Sequence, residues 1–206
     1  MNKKRILFIG DSITESGLHE DKAKLGTGYV RIIHDYLQAI YPNSFEVFNK
    51  GISGNRVIDL EERWDKDVLK CNPEILSISI GVNDVWRQLD NPGLKQIYPE
   101  EFASIYNELL MQAREETNAT LVLMEPTLIE EELNSAGNEK LKIYVEIVRR
   151  LADKHRAILI PTHQDFIDYV MTNSGYPLTI DGVHMNSVGN MLMANSWIKS
   201  VIPTLK

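Results

Sequence analysis

Four short segments of this chain hold residues able to carry acyl transfer. Ser12 stands in Arg5-Ile-Leu-Phe-Ile-Gly-Asp-Ser-Ile-Thr14, and Asp181 and His184 frame Asp181-Gly-Val-His184. Gly54 lies in Gly51-Ile-Ser-Gly-Asn-Arg56 and Asn83 in Gly81-Val-Asn-Asp84. A serine hydroxyl is a poor nucleophile until a base takes its proton. A neutral imidazole does this near pH 7. Asp181, three residues before His184, can receive the Nδ1 proton through a turn at Gly182, which leaves Nε2 facing Ser12. Gly54 lets its N–H approach a reacting oxygen with no side chain in the way. Asn83 adds a neutral amide donor. With the Ser12 N–H these make three donors around one carbonyl oxygen.

Each residue taken alone has a plainer reading. Ser12 also suits a helix cap, since Asp-Ser pairs are common there. Asp181-Gly182 also suits a simple turn with an incidental histidine. Gly51 and Gly54 could end a strand, and Asn83 could cap the next segment. The four occurring together in one 206-residue chain favour the catalytic set.

These residues must be positioned by alternating strands and helices. Strand-like apolar runs fall at 6–9, 45–48, 75–80, 120–124 and 157–160. Between them, helical spacing links Val30, Ile33, Leu37 and Ile40, then Val57, Leu60, Trp64 and Val68. Phe102, Ile105, Leu109 and Ala113 give a third stripe, and Leu141, Tyr144, Val148 and Leu151 a fourth. A last helix presents Val188, Met191, Leu192, Asn195 and Ile198, with Asn195 interrupting an apolar face. Five strands alternating with helices imply an α/β fold with a parallel sheet and right-handed crossovers. Ligands of such sheets bind outside the carboxyl ends of the strands. Ser12, Gly54 and Asn83 each follow one of the first three strands, so all three belong at that edge. The stretch 126–138, acidic at Glu130-Glu-Glu132, reads as a loop.

Composition narrows the classes. One domain over residues 1–206 is the default for this length. A formal charge of −7 argues against nucleic acid or an anionic membrane as partner. The basic opening from Asn2 to Arg5 is short, and the apolar run 6–9 is too short for a signal peptide or a membrane span. Cys71 is the only cysteine, so no internal disulfide can form and a reducing, cytoplasmic setting fits best. Tyr29, Tyr98 and Trp197 are candidates for exposed subunit contacts, which leaves a homo-oligomer open. His163 and Asp165 lack further spaced ligands, so no metal site is expected. His19, His34, His155 and His163 itself read as surface or structural.

Rival motifs fail. Gly51-Ile-Ser-Gly54 lacks the glycine two residues either side of a serine that an α/β-hydrolase elbow needs. Gly26-Thr-Gly28 lacks the third glycine of a dinucleotide fingerprint. No Walker pattern occurs.

Ser12 in Gly-Asp-Ser-Ile, Gly54, Asn83 in Gly-Val-Asn-Asp and His184 in Asp-Gly-Val-His resemble, in order, the four blocks of the SGNH, or GDSL, hydrolases. Ile13 departs from the leucine of the family name, a conservative apolar change. The resemblance implies a three-layer α/β/α sandwich, flavodoxin-like, around a five-stranded parallel sheet. It implies a triad of Ser12, Asp181 and His184. The implied oxyanion hole comprises the Ser12 N–H, the Gly54 N–H and the Asn83 side chain. No cofactor and no metal are expected.

The runs Leu25-Gly-Thr-Gly-Tyr-Val30, Asn49-Lys-Gly-Ile-Ser-Gly-Asn55 and Gly81-Val-Asn-Asp-Val-Trp-Arg87 are further similar to bacterial esterases that deacetylate xylan or xylo-oligosaccharides. The expected substrate is therefore a small acylated carbohydrate, with Trp86 and Arg87 as candidate pocket residues. Trp86 reads equally as core and Arg87 as a surface ion pair. Two other functions remain open. One is a lysophospholipase or thioesterase, which would want an apolar trough. The other is a catalytically silent carbohydrate-binding or assembly module, which would usually have lost one of the blocks.

Overall fold

The computed structural model describes residues 3–205. Asn2, part of the basic opening, lies outside them. Five strands form one parallel sheet: β1 (Lys4–Gly10), β2 (Phe45–Gly51), β3 (Ile75–Ser79), β4 (Thr120–Met124) and β5 (Ile158–Ile160), in the order β2-β1-β3-β4-β5. β3 is buried along its whole length, as are the last five residues of β1, which follows from near-continuous apolar sequence covered on both faces. The strand expectations hold to within a few residues at each end.

Helices cover both faces, giving the α/β/α sandwich. α2 (Tyr29–Ile40) packs on α8 (Ser187–Val201), and α7 (Thr162–Met171) packs on α8 as well. α5 (Pro99–Glu116) packs on α3 (Val57–Trp64) and α6 (Ala136–Lys154), and α4 (Val82–Asp90) packs on α6. A single turn, α1 (Ser12–Glu15), follows β1. α3 runs on into a π-helical turn over Asp65–Leu69. Helices α4 and α7 are not apparent in the apolar spacing.

The register brings the motif-bearing ends together. Gly10 pairs with Gly51 of β2 on one side and with Ser79 of β3 on the other. Ser12, Gly54 and Asn83 follow these three aligned residues at the β1/β3 switch point, where strand order reverses. A side chain at Gly10 would meet the Ser79 carbonyl at 2.3 Å, so only glycine lets the strands close at this edge.

Two expectations are corrected. The buried face of α8 is Gly189, Asn190, Met193, Ala194, Ser196, Trp197 and Val201, while Met191 and Asn195 are exposed. The more apolar stripe misleads because the polar residues of the true face are hydrogen-bonded inside. Asn190 Oδ1 accepts from the Tyr29 N–H at 2.8 Å, and its amide donates to the Met185 and Asn186 carbonyls. The second correction concerns the aromatics. Tyr29 and Trp197 are fully buried and only Tyr98 is exposed. Both rings flank Phe8, at 5.9 and 5.4 Å between centroids. Their polar tips reach Thr14 and Ser77, which is what allows such side chains to enter a core.

Candidate active site

α1 starts at Ser12, but the cap is Asp11. The Asp11 carboxylate accepts from the Ile13 N–H at 2.9 Å, so the capping role considered for Ser12 is filled by its neighbour. Burial pushes the Asp11 carboxyl up to about 6, against the Ile13 hydrogen bond and the charge of His184. The Ser12 hydroxyl lies 2.9 Å from His184 Nε2, and His184 Nδ1 lies 2.6 Å from Asp181 Oδ2.

The second Asp181 oxygen accepts from the Val183 and His184 N–H groups at 3.0 and 2.8 Å. The Asp-Gly turn and the histidine contact are thus one structure: the turn aims the carboxylate at the ring of its own third neighbour. Burial pushes the Asp181 carboxyl up, but the hydrogen bonds from the His184 side chain and the two amides outweigh it and hold the group below the usual range. It therefore stays ionised and fixes the ring with Nδ1 protonated and Nε2 accepting from Ser12.

The residues expected to supply the oxyanion donors stand at the same edge. Gly54 has φ of +80°, a conformation L side chains rarely adopt, within the turn that follows β2. Asn83 lies inside α4, whose cap is Gly81, so it does not cap the helix. It is buried, and its amide donates one hydrogen to the Asn55 carbonyl at 3.2 Å. The second amide hydrogen remains for a reacting oxygen. Next to it, Asp84 is fully buried and accepts from the Val57 N–H at 3.1 Å, which ties the start of α3 to α4.

Trp86 is half-buried and packs against the core. Its ring stands edge-on to His184 at 6.0 Å between centroids, and the Arg87 guanidinium lies over the same ring, 5.0 Å from its centroid. Arg87 also pairs with Asp90. A cavity of about 270 Å³ is lined by Ser12 and His184 together with Glu15, Ser16, Thr27, Ser53 and Ile180. Its lining is mostly polar, and Ser53 donates to Glu15 at 3.1 Å.

The model of the GDSL-like lipase/acylhydrolase family matches residues 8–192. The chain belongs to this family. An acetylxylan esterase of Geobacillus stearothermophilus is 34% identical, with 96% of this chain and 94% of that protein covered. The crystal structure of an acetylxylan esterase from that organism superposes with a TM-score of 0.87 at 34% identity, covering 96% of this chain and 93% of the other. An α/β hydrolase enzyme from the metagenome of Lake Arreo, Spain, gives 0.88 at 31% identity, over 96% and 94%. As a member of this GDSL-like family the chain is a carboxylic ester hydrolase, and its sandwich is the fold of these relatives.

Sequence reasoning missed the support of the His184 loop. Glu131 and Glu130 hold that loop, and Asn138 pins the segment that carries them by donating to the Glu130 and Glu132 carbonyls. In a single sequence these residues look like a solvated acidic loop, and no local signal marks them. His163 is buried with Nδ1 at 3.1 Å from the Thr127 carbonyl, a structural role. Among the described residues no group of three or more His, Cys, Asp or Glu is placed to hold a metal, and no helix is long and apolar enough to cross a membrane.

Proposed function

We propose that this chain hydrolyses acetyl esters of small carbohydrates, acetylated xylo-oligosaccharides above all, through an acetyl-enzyme on Ser12. The hydrogen-bonded line Ser12–His184–Asp181 carries this reading, because the Ser12 hydroxyl faces the imidazole while Asp11 does the capping. The substrate class is supported by the similarity to acetylxylan esterases.

Ser12 Oγ attacks the ester carbonyl carbon as its proton passes to His184 Nε2. The carbonyl oxygen becomes an oxyanion, held by the Ser12 N–H, the Gly54 N–H and the Asn83 amide. The ester C–O bond then breaks, and Nε2 gives its proton to the departing sugar oxygen. Water attacks the acetyl-serine, and its proton goes to Nε2. Acetate leaves, and Ser12 Oγ regains a proton. Asp181 orients the ring and stabilises the imidazolium throughout. No cofactor or metal takes part.

Trp86, beside the imidazole, closes the acyl side, and Arg87 holds its ring in place. The polar cavity lined by Ser12 and His184 suits the sugar. One sheet and one core support reading residues 1–206 as one domain. A cytoplasmic setting without nucleic-acid partners completes the reading, supported by the single cysteine and the charge of −7.

The test is a purified-protein screen on acetylated xylo-oligosaccharides and on p-nitrophenyl esters from acetyl to octanoyl. Acetate release from the sugars and a kcat/KM that falls with chain length are expected. An open apolar trough would instead reward each methylene by about 0.8 kcal/mol. A profile climbing toward octanoyl would overturn the carbohydrate reading in favour of a lipid or thioester acylhydrolase.

A further inference from the structure

Arg63, in the last turn of α3, is largely buried, with 13% of its side chain exposed. Its guanidinium spends four hydrogen bonds on three separate segments. Nε donates to Asn55 Oδ1 at 2.8 Å. Nη1 donates to the Lys50 carbonyl at 2.8 Å and to Asp67 at 2.9 Å. Nη2 donates to the Gly10 carbonyl at 3.1 Å. Gly10 precedes Ser12 by two residues, and Lys50 is the penultimate residue of β2, just before the Gly54 turn. Asn55 follows Gly54 directly, and its carbonyl receives the Asn83 amide at 3.2 Å. One rigid fork thus reaches the backbone or side chains that lead to all three oxyanion donors.

Anchoring α3 alone would need only the bond to Asp67, one turn away. The bonds to Gly10, Lys50 and Asn55 do something else: they fix the ends of β1 and β2 and the turn between β2 and α3 relative to one another. Only a planar guanidinium presents donors in this geometry, and a lysine ammonium cannot span the three acceptors.

We infer that Arg63 is a positioning residue for the oxyanion hole, holding Asn83 in place through Asn55. The inference rests on the proposed role of Asn83. Donors that stabilise charge developing in the transition state act on kcat, and small misplacements of them cost up to about 100-fold.

The test is a mutant cycle on p-nitrophenyl acetate. Arg63→Lys and Asn55→Ala are each made alone and in an Asn83→Ala background, with kcat, KM and Tm measured for every variant. Asn55→Ala removes only the acceptor of Nε and leaves the bonds of Arg63 to Asp67 and to both strand ends. Each single variant is expected to lower kcat by about 10- to 100-fold with KM changed by less than about threefold. In the Asn83→Ala background the same changes should cost less than about threefold, because the donor they position is already gone. If Asn83→Ala costs kcat as expected but the losses multiply in full, Arg63 does not act through that donor and only this inference falls. An effect on KM alone, or wild-type kcat in folded Asn55→Ala and Arg63→Lys, overturns it likewise. If Asn83→Ala leaves kcat intact, the oxyanion assignment falls and this inference with it.

Discussion

Glu131 accepts from Thr179 twice, from its N–H at 2.9 Å and from its hydroxyl at 2.7 Å, two residues before Asp181. The same carboxylate oxygen accepts from the Leu178 N–H at 2.9 Å. Beside it, the Glu130 N–H donates to the Gly182 carbonyl at 2.6 Å. The Asp181–His184 turn is thereby held from the segment after β4, and charge-assisted bonds of this kind are the strong ones. Glu131→Ala is expected to lower kcat on p-nitrophenyl acetate by roughly 10-fold or more through a loosened His184, while Glu131→Gln, which keeps an acceptor, loses much less. Equal rates for Glu131→Ala and wild type would mean the loop is fixed by its own turn.

Asn83→Ala should lower kcat by about two to three orders of magnitude and leave KM nearly unchanged. Steady-state kinetics on an acetyl ester decide it. A change confined to KM would move Asn83 from stabilising the oxyanion to binding the ground state.

Trp86 stands edge-on to His184 at 6.0 Å. If its ring closes the acyl side, Trp86→Ala opens room for longer chains, and the fall in kcat/KM from acetyl to octanoyl flattens. An unchanged profile would make the contact with His184 a packing contact and put the pocket wall elsewhere.

Burial pushes the Asp84 carboxyl up to about 8, against the hydrogen bond from Val57 and the charge of Arg56. The unfolded chain releases this proton near its ordinary value of 3.8, whereas the folded chain keeps it to about 8. The folded state therefore binds more protons across that window, and stability falls as pH rises through it. Asp11, pushed up to about 6, contributes in the same direction. Asp84→Asn has no proton to lose, so its Tm should drop less between pH 5 and pH 8 than that of the wild type. Parallel Tm profiles would show that Asp84 is ionised in the folded protein.

The sheet was legible because β1 and β3 are nearly continuous apolar runs, and burial on both faces demands that pattern. The alignment of Ser12, Gly54 and Asn83 followed from their places after successive strands. Other features lay beyond sequence periodicity because long-range hydrogen bonds create them. Asn190 and Ser196 make the buried face of α8 look polar until their partners, Tyr29 and Asp165, are seen. Asp11 and Ser12 compete for one cap, and only geometry shows which carboxylate or hydroxyl takes the Ile13 N–H. Arg63 and Glu131 look like ordinary surface charges, and each is defined by acceptors or donors far along the chain.

Acetate release from acetylated xylo-oligosaccharides by Ser12→Ala, against wild type at equal concentration, tests the central claim most directly. The variant should fold with an unchanged Tm, since the Ser12 hydroxyl neither caps α1 nor fills the core. Its kcat should fall by roughly four orders of magnitude or more, and adding His184→Ala should cost little further, because the two groups act as a unit. Near-wild-type acetate release by the folded Ser12→Ala protein would contradict the account.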